Sequence, residues 1–292
     1  MDMKEYIKKA RPNLSDSSVI TYASVLRSLY AKVFHSKDID VAKFKQVNTV
    51  LDFLKDVPAN KRKSILSALV IITDDPKYRE QMLDDVKQYD AGIKTQEKTP
   101  EQKENWITTD EVKQVFETLE KHAKLLYKKG SQTTADMQEI QNYVIVALLG
   151  GIFIPPRRSL DYCNFKITDI DPTLNYFDKK NMIFNSYKTA KYYGQQTVEC
   201  APALYKILKK WISVNPHPYL LIDTNGAKLT PVKLNQRLNK IFDGKKISVN
   251  ALRHCYLTDK YQDTIKTNEA LAADMTAMSS SINQATLYIK RD

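Results

Sequence analysis

Residues 94–105 read KTQEKTPEQKEN, a polar and charged run that carries no apolar stripe. A segment that packs on a core repeats its apolar side chains at a fixed period, and this run repeats none, so it reads as a linker. Working outward from it, the chain divides into a domain over residues 1–93, the linker at 94–105 and a domain over residues 106–292. Each part is long enough to bury a core of its own.

The N-terminal part reads as helices. Ser15 is placed to cap a helix with Val19, Tyr22, Ala23, Leu26, Leu29 and Val33 on one face. Val47, Val50, Leu51 and Leu54 form a second stripe that stops near Pro58, and Ile65, Leu66, Leu69 and Ile72 form a third. Pro76 opens a further helix with Tyr78, Met82, Val86 and Tyr89 expected inward. The first turn of the third helix holds Lys61, Arg62 and Lys63. Cations there oppose the helix dipole, and a facing phosphate would relieve the mismatch; a solvated basic turn is the alternative.

Beyond the linker, Thr109 is placed to cap a helix bearing Val112, Val115, Phe116, Leu119, Ala123 and Leu126. The next helix carries Ile140, Tyr143, Val144, Ala147 and Leu148 and ends at Gly150 and Gly151. Pro155 and Pro156 precede a short helix expected to hold Arg157 and Arg158. Between residues 174 and 200 the period changes, and short runs around Tyr176, Ile183 and Val198 predict a small antiparallel sheet with turns at 178–181 and 188–194. Helices return at 204–211, 231–242 and 248–257, and again after Thr267. The expected fold class is mainly α with a small antiparallel β-sheet.

Composition narrows the function. The formal charge is +11, which favours an anionic partner, of which a nucleic-acid backbone is the commonest for such a chain. No leader is read at the start and no apolar run is long enough to span a membrane, so an intracellular protein working at DNA is expected, neither secreted nor membrane-bound. The three cysteines, Cys163, Cys200 and Cys255, are scattered and read as reduced packing residues, and the four histidines form no ligand pair. No metal or other cofactor is expected.

Four residues in a fixed order carry the chemistry: Arg158 in PPRRSLDY, Lys188 in SYKTAKYYGQQTVECAP, Arg253 in NALRHCYLT and Tyr288 in MSSSINQATLYIK. Breaking a phosphodiester needs a nucleophile, stabilisation of charge on the non-bridging oxygens and a proton for the leaving oxygen. Two guanidinium forks can hold those oxygens without a metal. A lysine can protonate the leaving group. A tyrosine, with a pKa of roughly 10, becomes a useful nucleophile beside fixed positive charge. Arg157 is the alternative register for the first arginine, and Lys191 the alternative general acid.

On these residues the chain resembles the tyrosine recombinases, the phage-integrase type of site-specific DNA recombinase, and within them the integrases of eukaryotic large DNA viruses and related mobile elements. That family's first arginine stands in R-x-x-[ED]-L, leading to a D-[IV]-D turn; here Arg158 precedes Asp161 and Tyr162, and Asp169, Ile170 and Asp171 follow. Its lysine lies in a hairpin, matched by Lys188 to Lys191 ahead of the strand that ends near Pro202. Its H-x-L-R-H box is matched by Asn250, Leu252, Arg253 and His254, and its L-G-H-S box by Ala277, Met278, Ser279 and Ser280, with Tyr288 following.

The resemblance implies a helical, SAM-like core-binding domain followed by an α+β catalytic domain, the two forming a clamp on double-stranded DNA and assembling there as a homo-oligomer, from dimer to tetramer. It implies cutting and rejoining through a 3′-phosphotyrosyl intermediate made by Tyr288, without metal or ATP. Asn250, His254 and Ser279 would assist at the phosphate or as orienting residues, Asp161 would orient Arg158, and Lys61, Arg62, Lys63 and Lys191 would contact DNA. Asn250 and Ser279 stand where the family carries histidine; both can donate a hydrogen bond, but neither shuttles a proton. A nicking and resealing enzyme of the type IB topoisomerase kind is one alternative, and a DNA-binding relative with impaired catalysis is the other.

Overall fold

The computed structural model describes residues 2–285 and residue 289, which fall into two compact units, Met1–Lys98 and Thr99–Asp292. The division lies inside the polar run at 94–105. That run is not wholly irregular, because Thr99 and Gln102 form a reciprocal capping box at the start of a five-residue helix. Among the described residues no helix is long and apolar enough to cross a membrane.

The first unit contains helices α1 (Met3–Ala10), α2 (Asp16–Phe34), α3 (Val47–Leu54), α4 (Ala59–Thr73) and α5 (Pro76–Lys94). Ser15 accepts from the Ser18 amide and Asp75 from the Lys77 amide, so two of the starts are fixed by short polar side chains. Leu26, Tyr30, Phe44, Val50, Leu54, Leu66, Leu69 and Tyr78 fill the core, and the Tyr78 hydroxyl donates to the Phe44 carbonyl at 2.7 Å. Helix α5 departs from its apolar reading: Tyr89 is 39% exposed, and Asp85 takes a fully buried place on the inner face. What allows a carboxylate there is Arg62, whose Nε and Nη2 donate to the two Asp85 oxygens at 2.8 and 2.7 Å.

The second unit opens with α6 (Pro100–Glu104) and α7 (Thr109–Leu126). The cap of α7 is Thr108 rather than Thr109, with Glu111 returning a carboxylate to the Thr108 amide at 2.7 Å. Helix α8 (Thr134–Leu149) is the axis of the unit, buried without a break from Tyr143 to Leu149, with α7 and α11 (Pro202–Val214) packed on it. Between these lie α9 (Ser159–Cys163), β1 (Phe165–Lys166), β2 (Asn175–Asp178), β3 (Asn181–Phe184), α10 (Ala190–Tyr193) and β4 (Gln196–Glu199). Helices α12 (Pro231–Ile241) and α13 (Val249–Ala277) complete the unit.

The sheet runs in the order β1-β2-β3-β4 and is mixed rather than antiparallel, because β1 pairs parallel to β2 through Phe165 and Lys166. Two residues are too few to show a period, so this strand leaves no pattern in the sequence. The β2–β3 turn falls at Lys179 and Lys180, whereas the span expected as a second turn contains α10. Helix α13 is continuous where two helices were expected. Residues 258–266 lack an apolar stripe, but they contain no glycine or proline to stop the helix.

Two buried amides tie the sheet region to its surroundings. Gln141 of α8 exchanges both of its polar groups with the backbone of Ile222, at 2.7 and 2.8 Å. Asn175 donates to the Asp161 and Ser186 carbonyls at 2.8 and 2.9 Å and accepts from the Asn185 and Ser186 amides at 2.9 and 2.8 Å. It thereby fixes the exit of β3 to α9. Asn175→Ala leaves buried backbone groups unpaired and is expected to cost about 2–4 kcal/mol. Chemical denaturation of the full chain checks this, and a parental midpoint for the second unit would contradict it.

Candidate functional site

The segment from Gly151 to Arg158 carries the first arginine toward α9. Gly151 has φ +74°, and a Cβ there would lie 2.4 Å from a ring carbon of Tyr256, so glycine is needed both for the turn and for the approach of α13. On the same helix, Asp259 accepts from the Thr109 amide and hydroxyl at 2.7 and 2.8 Å, which fastens α13 to the start of α7. Arg253 projects from this anchored half of α13, between the buried residues Leu252 and Cys255. Arg157 and Arg158 lie ahead of α9 rather than within it, with Arg158 extended at the N-cap.

These elements bring Arg157, Arg158, Arg253 and Asp161 to one pocket of about 310 Å³, which Tyr187, Tyr193 and Gln196 also line. Three guanidiniums against a single carboxylate leave a net positive lining. Larger clefts of about 770, 930 and 440 Å³ also mix acidic and basic side chains, so neither size nor the sign of the charge sets this pocket apart; its three guanidiniums do, because each can present a fork to an anion.

Asp161 was expected to orient Arg158; it pairs instead with Arg157, whose Nε donates to Oδ2 at 3.0 Å. Arg157 also donates from Nη1 to Gln196 Oε1 at 2.8 Å and lies 3.9 Å above the Phe184 ring. Arg158 has no such attachment among the described residues. The committed fork is therefore Arg157 and the uncommitted one Arg158, a distinction that two adjacent arginines in a sequence do not reveal. Burial raises the Asp161 carboxyl above its ordinary pKa, with Arg157, Arg158 and Arg253 pulling the other way. The second oxygen, Oδ1, is buried and has no hydrogen-bond partner among the described residues.

The remaining expected residues are distributed around this pocket. Lys188 is exposed and sits between Tyr187 and Thr189, both of which line the pocket. Lys191 is exposed on α10 and lies 4.7 Å over the Tyr192 ring. Tyr192 and Tyr193 are 74% and 69% exposed. Asn250 is one turn before Arg253 and accepts from its Nη1 at 3.4 Å, while the Asn250 amide nitrogen and His254 Nε2 lie 3.2 Å apart. Ser279 follows α13, exposed and at φ +55°. Tyr288 lies outside the described residues.

In the first unit, Lys61 is exposed and Lys63 stands 2.9 Å over the Tyr89 ring. Arg62 is the correction there. Besides Asp85 it serves the Lys55 carbonyl at 2.9 Å, so its fork is filled from within the unit and does not face a phosphate. A buried aspartate on a neighbouring helix face was the signal for that pairing.

Burial also raises two thiols, Cys163 to about 12 and Cys200 to about 11, which makes them poor nucleophiles. Among the described residues no cluster of His, Cys, Asp and Glu is arranged to hold a metal ion. No protein-family model matches the chain, and no curated protein matches it.

Proposed function

We propose that the chain is a DNA strand-transferase of the tyrosine-recombinase kind, with a core-binding first unit and a catalytic second unit. The observation that carries this reading is the convergence of Arg158 and Arg253, from distant parts of the sequence, on one positively lined pocket. Two forks on separate elements can hold the two non-bridging oxygens of a phosphodiester and stabilise the charge that develops on them. In this reading Tyr288, its hydroxyl proton passing to solvent, attacks phosphorus; the O–P bond to the tyrosine forms as the bond to the 5′ oxygen breaks, and Lys188 gives that oxygen its proton. Asn250 and His254 orient Arg253 or reach the phosphate themselves. The 5′ hydroxyl of a partner strand then reverses the step, and protomers paired on the duplex exchange strands.

The test is a nicked duplex whose cleaved end diffuses away. A covalent protein–DNA adduct is expected from the parent and none from Tyr288→Phe, read by denaturing electrophoresis; no adduct from the parent on an unbiased library of duplexes would remove the reading. Lys61 and Lys63 would add sequence-independent phosphate contacts, and affinity would fall steeply with salt.

A second reading is favoured by Ser279, which occupies a left-handed turn position after α13 where the family carries an imidazole. It is a DNA-binding protein whose cleavage is slow or lost. Specific binding without adduct, with adduct appearing in Ser279→His, selects it.

A further inference from the structure

We propose that Arg157 is a positioning residue for the proton-donating lysine: it pins the base of the β3–β4 connection and, through it, sets where Lys188 stands. The proposal rests on the strand-transfer reading above. Phe184 ends β3, Gln196 begins β4, and the two are paired in the sheet, so they mark the base of the connection from residue 185 to residue 195. Arg157 grips both. Its guanidinium lies 3.9 Å above the Phe184 ring and 5.2 Å from the Tyr187 ring centroid, and its Nη1 donates to Gln196 Oε1 at 2.8 Å.

The other edge of the same fork is held by Asp161, whose side chain is 3% exposed against 18% for Arg157. Asp161 is in turn part of α9, and its carbonyl is fixed by Asn175. Asn175 already ties the exit of β3 to α9; Arg157 adds the link from α9 to the start of β4, through Gln196.

The loop itself has little other support at its tip. Lys188 and residues 191–195 are exposed, and the Tyr187 hydroxyl closes the loop onto its own Gly194 carbonyl at 2.6 Å. An exposed lysine on such a loop reaches a leaving oxygen only if the base of the loop is held. A guanidinium can bridge a carboxylate, an amide and a ring face at once; an ammonium cannot. Charge alone therefore does not replace Arg157.

The experiment separates proton donation from phosphate binding. Single-turnover adduct formation is measured on the nicked duplex with the ordinary 5′-bridging oxygen and with sulfur in that position. The thiol is far more acidic than the alcohol, so it leaves without a proton donor. On the oxygen substrate, Arg157→Ala, Arg157→Lys and Lys188→Ala are each expected to slow the step by about 10²-fold, and Gln196→Ala by less. On the sulfur substrate all four are expected to return to near the parental rate, whereas Arg253→Ala stays slow. Equal slowing of the Arg157 variants on both substrates, or parental rates on oxygen, overturns the proposal while leaving the strand-transfer reading intact. Absence of adduct from the parent on both substrates overturns that reading and the proposal with it. Should Arg157→Ala fail to fold, Arg157→Lys and Gln196→Ala decide the matter.

Discussion

Arg253→Ala is expected to slow strand cleavage by about 10²–10³-fold, the loss seen when one preorganised donor to a developing oxyanion is removed, equivalent to roughly 3–4 kcal/mol of transition-state stabilisation. Structural damage does not compete as an explanation, because the frame that holds Arg253 does not depend on its head. Val249, Leu252 and Cys255 carry the packing of that half of α13, Asp259 anchors it to Thr109, and Tyr256 lies against Gly151. Among the described residues, the only protein hydrogen bond of the Arg253 fork is the long one to Asn250, at 3.4 Å.

The fork is therefore held near the pocket but not consumed there. Arg158→Ala is expected to behave alike, since it too has no ion pair among the described residues. Lysine at either position keeps the charge and loses the paired donors, so partial recovery is expected rather than parental rate. Duplex affinity, spread over many phosphates, should change by only a few-fold. The checks are single-turnover adduct formation and binding at one fixed salt concentration; a variant of Arg253 that cleaves at the parental rate would show that the pocket does not hold the reacting phosphate.

The parts of the fold that were legible in sequence are those where a period runs long enough to be counted. The stripes of α2, α4, α7 and α8 mark their buried faces, and Lys179 with Lys180 marks the β2–β3 turn. Illegible parts have local causes. Strand β1 spans two residues, and its parallel partner is chosen by the chain path, not by its side chains. Asn175 looks like any polar residue at a strand start, yet four hydrogen bonds make it the joint between α9 and the loop that leads to Lys188.

Spaced motifs singled out Arg158 and Arg253, which line one pocket, but which arginine Asp161 would hold was not readable from the spacing. Asp161 is three residues from Arg158 and four from Arg157, and either spacing permits a pair on a short helix. Because α9 begins only at Ser159, both arginines approach from extended chain, and the contact is decided by Gln196 and Phe184 on the neighbouring strands. No local pattern encodes those.

Arg62→Ala is expected to cost the first unit about 3–5 kcal/mol, the loss typical when one partner of a buried ion pair is removed. Asp85 has no exposed side-chain surface and Arg62 retains 14%, so alanine would leave a carboxylate inside the unit with Gln81 as its nearest remaining donor, at 3.2 Å. The damage extends beyond one pair. Arg62 also donates to the Lys55 carbonyl just after α3, so its single fork joins the end of α3, the first turn of α4 and the middle of α5. A loss of that size is a large part of the stability of an ordinary domain.

Replacing both charges, as in Arg62→Met with Asp85→Leu, removes the stranded carboxylate as well as its partner and should recover most of the loss. Lys61→Ala and Lys63→Ala, by contrast, should leave the melting temperature within about a degree or two of the parent and weaken duplex binding. Melting and DNA titration of the four proteins test the assignment together. If Arg62→Ala melted with the parent and lost DNA affinity as the two lysine variants do, the basic turn would be a continuous phosphate contact and Asp85 would not be what holds Arg62 in place.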